Sequence, residues 1–259
     1  MSKLLDVVEL SKSYEKRTLP WKKESKIVLD KVSFSLDPFQ TLAIVGEAGS
    51  GKSVLAKLLA GAEKPSSGKI YLNGQKLDTK NFKHRSRHIR MIFQDPATSL
   101  NPSIPIGQML EEPLKLNTLM SPKEREDKIK KTLGRVGLLP DYMWFYPHML
   151  SSGQKQRVAL ARALILDPKV IIADKPFAAM DPSTRSQMVN LFLELQQTFG
   201  LTYIFVSHNL NIVKHISDYV FIMSEGKVVE RGLTSEVFSD PRHNITRKLL
   251  YSQQMLKVS

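Results

Sequence analysis

The chain contains no cysteine. That absence excludes disulfides, thiolate metal sites and cysteine-ligated iron–sulfur clusters, and it fits a reducing cytoplasm. No run of about 18 apolar residues occurs, so no segment is expected to span a membrane as a helix. The segment Met1-Ser-Lys-Leu-Leu-Asp-Val-Val-Glu lacks the apolar core of a secretory leader, and export is not expected. Internal repeats, low-complexity stretches and recognition-helix or RNA-binding patterns are also missing, so nucleic acid is not an expected partner. Acidic residues are scarce: 25 Asp and Glu stand against 38 Lys and Arg, a net charge of +13. Such a balance favours anionic partners, nucleotide or lipid headgroups among them, or else a plain solvated basic surface. At 259 residues the chain can bury a full core, as one large domain or a domain with an inserted lobe.

Short apolar runs alternate with helix-like segments. Leu5–Leu10 and Val28–Leu36 read as strands, separated by a polar insert from Glu15 to Lys26 that holds Trp21 among lysines. That insert reads as a surface loop, with contact to lipid headgroups or a membrane partner as the alternative. Thr41–Val45, Lys169–Asp174, Thr202–Val206 and Tyr219–Met223 read as buried strands. Arg185–Thr198 places Met188, Leu191, Phe192 and Leu195 on one helical face. Ser224-Glu-Gly226-Lys227 reads as a hairpin turn. Residues 95–150 differ in texture: seven prolines, from Pro96 to Pro147, break up helical stretches and suggest a separate helical lobe. The basic stretch from Lys80 to Arg90 reads as a solvated face. Strands alternating with helices imply a largely parallel sheet covered on both sides.

One loop carries most of the chemistry. Gly46-Glu47-Ala48-Gly49-Ser50-Gly51-Lys52-Ser53 fits G-x-x-x-x-G-K-[ST], between a predicted strand and a predicted helix at Val54–Ala60. Glycines let the backbone wrap a phosphate with its N–H groups, helped by the helix N-terminus behind. Lys52 is expected to reach the β- and γ-phosphates and Ser53 to ligate Mg²⁺.

Further along, Leu150-Ser151-Ser152-Gly153-Gln154 is similar to the LSGGQ turn of ATP-binding cassette (ABC) ATPases, and the chain resembles that family over almost its whole length. The resemblance implies an α/β P-loop NTPase with a RecA-like parallel-sheet core, an N-terminal antiparallel β subdomain and an inserted helical lobe. Residues 1–259 then form a single ATP-binding domain, with 1–94 and 158–259 as core and 95–157 as lobe. It also implies site roles. Lys169–Asp174 looks like the Walker B strand, with Asp174 on the metal's water shell. Gln94 of Phe93-Gln94-Asp95 resembles the Q-loop glutamine, a sensor of Mg²⁺ and attacking water. Asp181 of Ala179-Met180-Asp181 resembles the D-loop, His208 the switch histidine, and Tyr14 the aromatic residue that stacks on adenine. Ser151, Ser152, Gly153 and Gln154 would face ATP held by a second ABC ATPase subunit, non-identical in the usual pattern. Ser152 replaces a glycine and either crowds the turn or adds a donor. Met91–Pro102, Ile106–Pro113 and Asp240–Leu249 are similar to the oligopeptide and dipeptide importer branch, and within it to Sap-type subunits linked to antimicrobial-peptide uptake. Expected partners are therefore two permease subunits and, indirectly, a periplasmic binding protein, at the cytoplasmic face of a bacterial inner membrane. Nickel or polyamine are alternative solutes.

Lys175 departs from the family pattern, which has a glutamate after the Walker B aspartate. The glutamate accepts a hydrogen bond from the attacking water; a protonated lysine has three donors and no acceptor. Hydrolysis at this chain's own site is expected to be impaired while ATP binding persists. Alternatively, Lys175 turns outward and Gln94 or His208 positions the water. Two roles stay open: half of a hydrolysing engine, or an ATP-gated clamp that never hydrolyses.

Overall fold

The computed structural model describes residues 3–19, 22–78, 82–93, 99–178 and 180–255. In chain order the elements are β1 (Leu5–Leu19), β2 (Lys22–Leu36), β3 (Thr41–Gly46), α1 (Lys52–Ala60), β4 (Ser67–Leu72), β5 (Gln75–Lys76), α2 (Phe82–His88), β6 (Ile89–Ile92), α3 (Ile106–Asn117) and α4 (Pro122–Arg135). After two 3-10 turns come α5 (Ser152–Leu164), β7 (Val170–Asp174), α6 (Pro182–Phe199), β8 (Thr202–Val206), α7 (Leu210–Ile216), β9 (Tyr219–Ser224), β10 (Lys227–Leu233), α8 (Thr234–Ser239) and α9 (Asn244–Met255). No helix among the described residues is long and apolar enough to cross a membrane. The chain divides into two compact units, residues 1–82 with 202–259, and residues 83–201.

The first unit holds an antiparallel sheet in the order β2-β1-β4-β5. β1 pairs with β4 only from Leu5 to Ser11, whereas its pairing with β2 continues to Leu19 opposite Lys22. The polar segment from Glu15 to Lys26 therefore does not leave the strands as a loop, as its composition suggests. It extends them as a two-stranded ribbon held by backbone pairing; Pro20 and Trp21 lie outside the described residues. The same unit holds β10-β9-β3-β8 in sequence across a sheet. β3 is parallel to β8, with Ile44 opposite Val206, and to β9, with Ile44 opposite Phe221. Every residue of β3 is buried, which explains its unbroken apolar run. Ala43, Val45, Val220 and Ile222 from these strands pack with Val213 of α7 and Val237 of α8, and Ile245 and Leu249 of α9 lie against them.

β9 and β10 join through the expected two-residue turn, with Ser224 opposite Lys227 and both Glu225 and Gly226 at positive φ. Gly226 donates its N–H to Ser50 O (3.2 Å) and accepts from Asp30 N (2.9 Å) through its carbonyl. A Cβ there would stand 2.6 Å from Val28 O, so the turn can lie against β2 only as glycine.

Glu230 on β10 anchors α9. Its carboxylate accepts the N–H groups of Arg242 (2.8 Å) and His243 (3.0 Å) and the hydroxyl of buried Thr246. Burial raises its pKa, but these donors outweigh burial and the net direction is down. Glu230→Ala strands a buried hydroxyl and two N–H groups, and is expected to cost about 2 kcal/mol, read by thermal or urea unfolding. A carboxyl with a depressed folded pKa stabilises fully above its unfolded value of about 4.3. That contribution is lost as pH falls through the folded pKa. The stability gap between wild type and Glu230→Gln is therefore expected to close below about pH 4.

The second unit contains β6 and β7 as a parallel pair, Ile89 opposite Val170 through Ile92 opposite Ala173, with α2 to α6. The family resemblance implies a helical lobe over residues 95–157. Here that segment coheres with 158–201 as well, because β6 and β7 pair with each other and α5 packs on β6. Ile106 and Leu110 of α3, Leu133 of α4 and Leu160 of α5 are fully buried. α4 starts in a capping box in which Ser121 and Glu124 bond each other's backbone N–H, with Pro122 in the first turn. The basic stretch ending at Arg90 is not uniformly solvated. Arg85 is 3 % exposed and burial pulls its pKa down to about 10, because α2 runs straight into the buried strand β6.

Candidate functional site

The glycine loop occupies the turn from β3 to α1, as its sequence predicts. Gly46 closes β3 where a Cβ would fall 2.1 Å from Met223 O of β9, so only glycine lets the strand end so close to its neighbour. Glu47, Ala48 and Gly49 are exposed; Ser50, Gly51 and Lys52 are buried and Ser53 is half-buried. α1 begins behind Gly51 with no side chain capping it, which leaves its first N–H groups aimed into the loop for an anion. Lys52 bends back across the loop and donates to Glu47 O (2.6 Å) and Ser50 Oγ (2.9 Å). A cation is thus held among carbonyl and hydroxyl oxygens where phosphate oxygens are expected.

The parallel pairing of β3 and β8 sets His208 near the same carboxyl edge. β8 ends at Val206 opposite Ile44, Ser207 N donates to Ile44 O (3.1 Å), and His208 follows, exposed. Asn209 then caps α7 by accepting the N–H groups of Asn211 and Ile212. In open sheets of this kind ligands bind at the carboxyl ends of the strands.

Tyr14 is 40 % exposed and held from two sides. Its hydroxyl donates to Glu63 Oε1 (2.5 Å), and Lys12 Nζ lies 4.9 Å from the ring centroid. Burial and the adjacent Glu63 push the phenol pKa up to about 12, so it stays a donor. Lys12 also pairs with Glu63 (2.9 Å) and donates to Lys64 O (2.8 Å). Glu63 and Lys12 were not singled out by the sequence; the only signal is that Lys12 precedes Tyr14 by one strand period.

In the second unit, Asp174 ends β7 and is buried. Its Oδ1 has no hydrogen-bond partner among the described residues. A buried carboxylate oxygen without donors calls for a cation or its water shell. Groups of three or more metal-binding His, Asp or Glu side chains do not occur among the described residues. A carboxylate that shares its metal with substrate phosphates suits Mg²⁺. Lys175, next in the chain, is half-buried and adopts φ 48°, the left-handed region, with Ala178 N donating to its carbonyl (3.2 Å). A non-glycine residue there costs about 1–2 kcal/mol.

Ser151 caps α5, accepting from Gln154 N (3.3 Å) while Gln154 Oε1 accepts from Ser151 N (2.9 Å). Gln154 Nε2 donates onward to Tyr142 Oη (2.8 Å). The S-x-x-Q spacing is itself a capping-box signal. Ser152 is exposed at the first helical position, and a Cβ on Gly153 would meet Thr184 Cγ2 at 3.0 Å. Asp181 caps α6 by accepting Thr184 N (3.0 Å), a bond that with its neighbours holds its carboxyl below the usual range. Gln94 and Ala179 lie outside the described residues.

Residues 29–178 match the family model described as ABC transporter. The chain is 51 % identical over 247 residues to the peptide transport system ATP-binding protein SapF of Salmonella typhimurium, covering 95 % of this chain and 92 % of the relative. It is equally identical, with the same coverage, to the putrescine export system ATP-binding protein SapF of Escherichia coli K12. It is 45 % identical to the dipeptide transport ATP-binding protein DppF of Haemophilus influenzae, over 95 % of this chain and 77 % of that one. Among solved structures, cbiO1 from Clostridium perfringens, part of the transporter complex cbiONQ, superposes with TM-score 0.79 at 30 % identity, covering 99 % of this chain and 98 % of that one. The dimeric ATP-binding cassette MJ0796 bound to ADP and Pi gives 0.77 at 28 %, over 89 % and 98 %. Antiparallel sheet, parallel core strands and helical lobe are those of the ABC ATPase fold, and the chain belongs to the ABC transporter family.

Proposed function

We propose that the chain binds MgATP and drives a peptide transporter as one half of an ATP-sandwich dimer with a non-identical ABC ATPase. The glycine loop carries this reading: Lys52 sits buried among loop oxygens, ahead of an uncapped helix start. On binding, Lys52 exchanges Glu47 O and Ser50 Oγ for β- and γ-phosphate oxygens. Ser53 and Asp174 would hold Mg²⁺ and its water, and bound there the metal neutralises phosphate charge. Ser151 and the N–H of Gly153 act on the partner's ATP, from a helix start fixed by the capping box. Gln94 and His208 are assigned to the γ-phosphate side, Tyr14 to the base and Asp181 to the dimer interface.

Two permeases at the cytoplasmic face of the inner membrane, served by a periplasmic binding protein, complete the assembly. Peptides, antimicrobial ones included, are the cargo favoured by the SapF and DppF relatives. A polyamine is the second reading, favoured by the equally similar relative named for putrescine export. At Lys175 this chain's own site lacks the acceptor that orients water, so hydrolysis falls to the site built on the partner's loop and Leu150–Gln154 from here.

Because each site needs both subunits, the purified chain is expected to sediment as a monomer and hydrolyse ATP at background rate. Activity should appear on co-assembly with the partner ATPase and permeases. Robust hydrolysis by a demonstrated monomer contradicts the composite site, and uptake assays with peptide and putrescine separate the two cargoes.

A further inference from the structure

Hydrogen bonds tie the loop that follows α1 to the strand carrying Tyr14. Ser66 N donates to Ser11 O (2.9 Å), Ser13 N to Ser66 Oγ (3.0 Å), Lys12 Nζ to Lys64 O (2.8 Å) and Tyr14 Oη to Glu63 Oε1 (2.5 Å). The last two converge. Glu63 takes the Tyr14 hydroxyl and the Lys12 ammonium, and that ammonium stands over the Tyr14 ring. Their side chains are shielded, 14 % exposed for Lys12 and 22 % for Glu63, whereas Tyr14 itself keeps 40 % of its surface open. We infer that Glu63 and Lys12 are positioning residues for nucleotide binding, locking the Tyr14 ring so that one face is backed by the Lys12 ammonium and the other is presented to the base. This rests on the assignment of Tyr14 to the base.

The physical case has two parts. A tyrosine on a strand edge rotates about χ1 and χ2, and a base that stacks on it must first freeze that rotation. Here the hydroxyl is tethered by a charge-assisted bond to a carboxylate that is itself paired, so the ring is frozen before the nucleotide arrives. A cation over one face also draws ring electron density toward itself. The opposite face becomes better matched to an electron-rich purine. The phenol, pushed up to about 12, keeps its proton for the tether across the physiological range.

The test uses the full-length chain and two probes, MgATP and magnesium tripolyphosphate, which shares the phosphates but has no base. The quantity read is the ratio of their dissociation constants, together with quenching of an etheno-adenine nucleotide on stacking. Stacking a base on an aromatic ring is worth about 5- to 150-fold in affinity. Tyr14→Ala is expected to remove that preference for MgATP. Glu63→Ala and Tyr14→Phe should each remove about five-fold of it, with weaker quenching and tripolyphosphate affinity unchanged. Lys12→Met should act in the same direction, and Glu63→Gln, which keeps an acceptor for the phenol, should restore part of the loss. If Tyr14→Ala costs the preference but Glu63→Ala and Tyr14→Phe do not, the positioning role is overturned and Tyr14 keeps its assignment. An unchanged ratio in Tyr14→Ala removes the base assignment and this inference with it. Equal losses for both probes in Glu63→Ala mean damage to the phosphate loop, which also overturns the inference.

Discussion

Lys52→Ala is expected to weaken MgATP binding by about a hundredfold or more, since it deletes two charge-assisted bonds to phosphate, each worth about 1.5–3 kcal/mol. Side-chain identity matters here beyond charge. Lys52 is 7 % exposed and is already desolvated against Glu47 O and Ser50 Oγ. Its exchange of those oxygens for phosphate oxygens therefore carries little further desolvation cost. The variant also removes the buried donor shared by Glu47 O and Ser50 Oγ, so a stability measurement belongs beside the titration. Unchanged affinity in equilibrium titration would sink the assignment of the loop to phosphate, whatever the melting temperature does.

Lys175→Glu is expected to do the opposite: to create activity. General-base assistance is worth about 10²–10⁴ in rate, and the proposed deficit at this site is of that kind. Restoring an acceptor should speed decay of ATP trapped on this subunit's loop by about a hundredfold, and raise turnover of the assembled complex. Removing the partner's corresponding glutamate should nearly abolish wild-type turnover. The substitution is a clean one. Position 175 sits at φ 48°, and glutamate bears the same left-handed penalty as lysine, so the backbone gains nothing from the exchange. If ATP on this loop decays in the wild-type complex as fast as on the partner's, the impaired site is refuted.

Much of this architecture was legible because it rests on periodicity and on motifs with local causes. The buried run Thr41–Gly46, the glycine loop and the turn at Glu225–Gly226 each follow from chain-local rules. The ribbon formed by Ser13–Leu19 and Lys22–Ile27 was not legible. Its residues are mostly polar and show no apolar alternation, and backbone pairing leaves no mark on side-chain choice. Tyr14 was found only as a likeness. Its partner Glu63 is 49 residues away, and no spacing rule reaches that far. The conformation of Lys175 was hidden for another reason: lysine carries no preference for positive φ, so a strained lysine reads like any other.

Gly226 lies far along the chain from the phosphate loop, in what looks like an unremarkable hairpin turn. Yet its N–H holds Ser50 O, its carbonyl holds Asp30 N, and Val28 O leaves no room for a Cβ. Mutational tolerance across this chain should therefore follow hydrogen-bond adjacency rather than distance in sequence. A surface turn that shows no motif is as closed to variation as the loop it braces. Engineers who lengthen, tag or circularly permute the chain at this outwardly convenient site would be cutting into the nucleotide pocket's foundation.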